Sequence, residues 1–109
     1  MKKVTLEQIE YITQKIVEEF TPEEIVLFGS YARGTPRLES DIDLLIIKDM
    51  TSQPYQREQE LRRKLIGNGF PPLDLVVLTP KEIKEREKYD DFFLKEIRSY
   101  GKVMYHANK

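Results

Sequence analysis

The chain has 109 residues, 18 basic against 19 acidic side chains, a formal net charge of -1 and no cysteine. Near-balance of charge excludes a protein that grips nucleic acid mainly by neutralising phosphates, so nucleic acid is not expected as a direct ligand. The missing thiols exclude disulfides, zinc–thiolate centres and cysteine nucleophiles, and the longest apolar run, Leu44-Leu45-Ile46-Ile47, falls far short of the ~20 residues of a membrane span. One domain over 1–109, in the cytoplasm, is the expectation.

Thr5-Leu6-Glu7-Gln8 has the form of a capping box, in which Thr5 caps a helix and Gln8 reaches back to it. Ile9, Ile12, Ile16, Val17 and Phe20 follow at helical spacing, which predicts an amphipathic helix over 6–20, broken by Thr21-Pro22. Glu24–Phe28 reads as a short strand that stops at Gly29-Ser30. The segment 31–40, with Gly34 and Pro36, reads as a loop after at most one helical turn. Asp41–Lys48 is a strand whose apolar end is buried on both faces. Leu61 and Leu65 place a helix over 58–66, ended by Gly67-Asn68-Gly69. Leu73–Leu78 is a third strand. Thr79-Pro80-Lys81-Glu82 is a second capping box with proline at the first helical position, and the charge run 81–88 reads as a solvated helix face. A helical pattern resumes at Asp91 and runs to Gly101, and Lys102–His106 is a candidate last strand. The fold class is α/β (α+β): a small mixed sheet of three to four strands packed by helices.

Polar residues inside strands mark the chemistry. Asp41 and Asp43 flank Ile42, and residues i and i+2 of a strand share a face, so the carboxylates stand side by side. Their repulsion is relieved by a divalent cation, and hard oxygen ligands suit Mg²⁺. Asp74 supplies a third carboxylate if its strand neighbours that of Asp43. Three carboxylates suffice for one or two magnesium ions completed by substrate phosphate oxygens. Gly29-Ser30 ends the preceding strand, where a glycine turn, a serine hydroxyl and free amides favour a phosphate. Arg33 and Arg37 lie in the following segment and can neutralise a polyphosphate. Each feature alone is commonplace: a lone Gly-Ser is usually a turn, and a lone Asp-x-Asp a solvated strand start. The combination is rare. Tyr31 is expected to pack, and His106, the single histidine, to lie on the surface.

Phe28-Gly29-Ser30-Tyr31-Ala32-Arg33-Gly34, followed by Ser40-Asp41-Ile42-Asp43-Leu44, resembles the signature of the DNA polymerase β-like nucleotidyltransferase superfamily, and within it the minimal nucleotidyltransferase branch. The resemblance implies the polymerase β-like palm fold. It implies that Gly29, Ser30 and Arg33 bind the triphosphate of ATP, and that Asp41, Asp43 and Asp74 hold the metal and carry the catalysis. It also implies a partner, since many such domains are antitoxins paired with a HEPN-domain ribonuclease toxin that they modify with AMP on a tyrosine. Transfer to a small hydroxyl compound, and neutralisation of a partner by contact alone, are the competing functions. A small-molecule transferase of this kind usually carries an added helical domain to shape its acceptor pocket, which favours a protein acceptor.

Overall fold

A computed structural model describes residues 3–37 and 40–107. The elements in chain order are α1 (Leu6–Phe20), β1 (Glu24–Phe28), α2 (Gly29–Arg33), β2 (Ile42–Ile47), α3 (Pro54–Leu65), β3 (Leu73–Leu78), α4 (Pro80–Lys88), α5 (Phe92–Tyr100) and β4 (Lys102–His106). Both predicted capping boxes form. The Gln8 amide donates to Thr5 Oγ1 at 3.1 Å while the Thr5 amide donates to Gln8 Oε1 at 2.7 Å, and Thr79 and Glu82 repeat the exchange at the start of α4.

The four strands make one mixed sheet in the order β3-β2-β1-β4. β1 runs antiparallel to both β2 and β4, whereas β2 and β3 are parallel, with α3 making the crossover. Each face of the sheet buries its own cluster. Ile9, Ile12, Ile16 and Phe20 of α1, with Leu61 and Leu65 of α3, pack on Ile25, Leu27, Ile42, Leu44 and Ile46. On the other face, Ile83 of α4 and Leu94 and Ile97 of α5 cover Val26, Leu45, Ile47 and Leu78. Leu44, Leu45 and Ile46 have no exposed surface, as expected for a strand sandwiched between two helical layers. Each such side chain is worth roughly 1.5–3 kcal/mol of transfer free energy.

Two boundaries differ from expectation, those of α3 and β2, and the helical turn allowed after β1 forms. Helix α3 begins at Pro54, not at 58, because Gln53 caps it through a reciprocal exchange with Gln56, and glutamine is not a usual cap residue. The residues after β1 form a five-residue helix, α2, before the loop, and Leu38 and Glu39 of the predicted loop lie outside the described residues. Asp41 precedes β2, which opens at Ile42.

Candidate active site

Asp43 lies opposite Phe28 in the β1–β2 pairing and opposite Asp74 in the β2–β3 pairing. Register partners project from the same face of a sheet. Phe28, Asp43 and Asp74 therefore share the face that α4 and α5 pack, at the end those helices leave open. The neighbouring-strand condition for Asp74 is met, and the two carboxylates face each other residue for residue.

That crowding is visible in Asp43. Burial, the Asp74 carboxylate beside it and, more weakly, Asp41 push its carboxyl from the usual 3.8 up to about 6. Asp41 and Asp74 are exposed to solvent. Among the described residues no three acidic or histidine side chains stand close enough together to hold a metal as they lie. Asp43 and Asp74 are the assembled pair, and Asp41 is the neighbour that does not yet join them. An exposed aspartate is free to change rotamer, so the donor set as a whole (hard oxygens, with charge to spare) fits a magnesium ion.

Gly29 is required here for a reason the sequence alone did not supply. Its φ is +72°, a left-handed conformation, and a Cβ built on it would overlap the Asp43 carboxylate. The turn out of β1 is thus pressed against the acid in β2. Ser30 follows in the first turn of α2, half-buried. Tyr31 packs against the α1 side of the core and its hydroxyl accepts from the Val4 amide at 3.2 Å, the structural role expected of it.

Arg33 takes a different course. Its guanidinium pairs with Glu96 of α5 and lies 5.0 Å over the centre of the Tyr100 ring. A cavity of about 230 Å³ opens there, lined by Phe28, Gly29, Arg33, Phe93, Glu96 and Tyr100 among others. Phe93 meets Phe28 edge to face at 5.4 Å. Neither the Glu96 nor the Tyr100 contact with Arg33 was readable in the sequence, since each spans more than sixty positions and no local pattern announces it. Arg37 is exposed, its amide donating to Ser40 Oγ at 2.8 Å and its carbonyl accepting from the Ser40 amide at 3.1 Å. His106 is exposed on β4, opposite Glu24 and well removed from the carboxylates. Larger grooves of about 460 and 410 Å³ flank Phe70, where Leu75 and Ile12 mark the opposite face of the sheet.

A mixed sheet that sets two facing carboxylates beside a glycine turn into a short helix defines a nucleotidyltransferase-type domain. The chain belongs to the nucleotidyltransferase domain family, whose pattern matches residues 9–102. The Methanocaldococcus jannaschii protein MJ0141, provisionally named a protein adenylyltransferase, is 34% identical over 80 residues, which span 72% of this chain and 75% of that one. The protein adenylyltransferase MntA of Thermococcus cleftensis is 42% identical over 50 residues, 42% of this chain and 50% of that one. A chain in the crystal structure of a toxin–antitoxin with AMP-PNP superposes with a TM-score of 0.62 at 26% identity, covering 94% of this chain and 76% of that chain. The expected family and fold class are both borne out.

Proposed function

We propose that this chain is a magnesium-dependent protein adenylyltransferase that moves AMP from ATP to a tyrosine hydroxyl of a HEPN-type toxin and so neutralises it as an antitoxin. The observation that carries the reading is the facing of Asp43 and Asp74 beside Gly29, on a chain whose relatives include a named protein adenylyltransferase and a toxin–antitoxin crystallised with an ATP analogue.

In this reading the Gly29 and Ser30 amides and the Ser30 hydroxyl donate to phosphate oxygens, and Arg33 offsets the charge of the leaving pyrophosphate. Asp41, Asp43 and Asp74 hold one or two magnesium ions. Bound there, the metal supplies Lewis-acid stabilisation of the triphosphate charge and lowers the pKa of the acceptor hydroxyl. Asp74, exposed at the rim, accepts the proton of that hydroxyl. The hydroxyl oxygen forms a bond to the α-phosphorus, the bond from that phosphorus to the bridging oxygen breaks, and pyrophosphate departs. Positioning and charge neutralisation supply most of the rate.

The test is incubation of the protein with ATP, Mg²⁺ and a HEPN-domain protein encoded in the same genome, followed by intact-mass measurement of the partner. Addition of one AMP unit or a small number of them is expected. Asp41→Asn and Asp43→Asn are each expected to lower the rate on the order of a thousandfold while remaining folded. A partner inhibited in a stable complex yet unchanged in mass would transfer the reading to neutralisation by contact.

A further inference from the structure

We infer that Glu96 and Tyr100 of α5 are positioning residues for the triphosphate, acting through Arg33, so that the nucleotide site has a second wall outside the Gly-Ser and Asp-x-Asp segments. The inference rests on the function proposed above and deepens it. It starts from the geometry of α2. Gly29 opens this short helix and Arg33 closes it. Side chains in a helix lean toward its N-terminus, which carries the Arg33 guanidinium back toward Gly29. The two residues line the same cavity of about 230 Å³. Phe28 lines it too and is the register partner of Asp43, so the cavity opens on the carboxylate-bearing face.

An arginine with free rotamers loses side-chain entropy when it is ordered on an anion, at a cost of up to ~2 kcal/mol. Here that ordering is done in advance. Glu96 pairs with one terminal nitrogen of Arg33, and the Tyr100 ring supports the guanidinium plane at 5.0 Å. Among the described residues only one nitrogen is engaged, so the remaining donors of the fork are left to a phosphate. Glu96 and Tyr100 are four apart and so lie on one face of α5, both turned toward α2. The pair is about half exposed, with side-chain exposures of 44% and 40%, so its own contribution to stability is small. Its consequence is orientation.

The experiment measures ATP and AMP affinity in Mg²⁺ by calorimetry, for the wild type, Glu96→Gln, Tyr100→Ala, Tyr100→Phe, Arg33→Ala and the Arg33→Ala/Glu96→Gln pair, with thermal melting as a check on folding. Glu96→Gln and Tyr100→Ala should each weaken ATP about three- to tenfold and leave AMP unchanged, because AMP lacks the β and γ phosphates. Tyr100→Phe keeps the ring and should bind as the wild type does. In the Arg33→Ala background Glu96→Gln should have no further effect, the signature of a residue that works through its partner. Equal ATP affinity in wild type and Glu96→Gln overturns the inference, as does tighter ATP binding, which would make Glu96 a competitor of the phosphate. A parallel loss of ATP and AMP affinity also overturns it. A wild type that binds no Mg²⁺·ATP fails at the earlier step and overturns the proposed function together with this inference.

Discussion

Asp43 is the residue on which the site turns, and its ionisation makes opposite demands on the metal-free and metal-bound protein. Its carboxyl is raised to about 6 in the fold against 3.8 ordinarily, so the folded chain binds more protons than the unfolded one between those values. Stability of the metal-free protein accordingly falls as pH rises through that window, and the penalty is fully present at pH 7. Without solvent screening the shift corresponds to roughly 3 kcal/mol, and the partial exposure of the carboxylate reduces that to about 1 kcal/mol. Asp43→Asn should therefore raise the melting temperature of the metal-free protein at pH 7, with the gain vanishing near pH 4, as read from melting curves across pH. Magnesium-dependent nucleotide binding in the wild type should do the reverse and weaken as pH falls below about 6, since a protonated carboxyl is no ligand. Isothermal titration at pH 7.5 and 5.5 checks this, and an unchanged affinity would remove Asp43 from the metal. Strand alternation set Asp41 beside Asp43 in the sequence, whereas β2 opens only at Ile42 and leaves Asp41 outside the strand. The closeness of Asp43 to Asp74, and the glycine pressed on it, depend on a register that no single segment encodes.

Between elements, the strongest polar link is one that the charge pattern concealed. Arg57 of α3 has a side chain only 6% exposed, and its guanidinium donates to Glu82 at 2.6 and 3.0 Å, to Ser52 O at 2.8 Å and to Val77 O at 3.2 Å. Glu82 is also the reciprocal partner of Thr79 in the α4 capping box. The Arg57–Glu82 pair thereby ties α3, the end of β3 and the start of α4 together. The capping box was readable from Thr79 and Glu82, but the run around it looked like a solvated face because Arg57 lies twenty-five positions earlier. Similarly, the first turn of α3 was missed because Tyr55, Gln56 and Arg57 carry no apolar periodicity. Hydrogen bonds from Arg57 hold the Glu82 carboxyl below its ordinary 4.5. A lowered acid stabilises the fold above its unfolded value, and that contribution is lost as pH drops through the folded value, so this clamp opens only in acid. Glu82→Ala strands a buried guanidinium and should cost about 3–5 kcal/mol, measured by urea unfolding at pH 7. Replacing Arg57 and Glu82 together by apolar residues should recover much of the loss, which separates the stranded charge from the packing.

At the scale of the whole molecule, the two faces of the sheet are used differently. The α1 and α3 face is closed by a continuous apolar cluster, whereas α4 and α5 cover only part of the other, leaving the carboxylates at its open end. The order of elements was legible along the chain, and with it the mixed sheet. The strand order β3-β2-β1-β4 was not, although it is what places α5, from the far end of the sequence, beside α2. Asp41 and Asp74 are exposed, so the carboxylates are open to solvent, and α5 forms one rim of the neighbouring Arg33 cavity. On that rim Phe92 is 76% exposed and Tyr100 60%, on the same helix face as Glu96. Phe93 instead packs on Phe28. Large exposed aromatics beside a reaction site are the kind of anchor by which a protein surface is held. If the acceptor is a protein, Phe92 contributes to holding it without touching the nucleotide. Phe92→Ala should then lower kcat/KM for the partner protein by about tenfold, which is ~1.4 kcal/mol, while ATP affinity and melting temperature stay as they are. Single-turnover labelling at saturating ATP, with the partner varied, distinguishes the outcomes: a loss confined to partner affinity supports docking on α5, and an unchanged rate places the acceptor elsewhere on the open face.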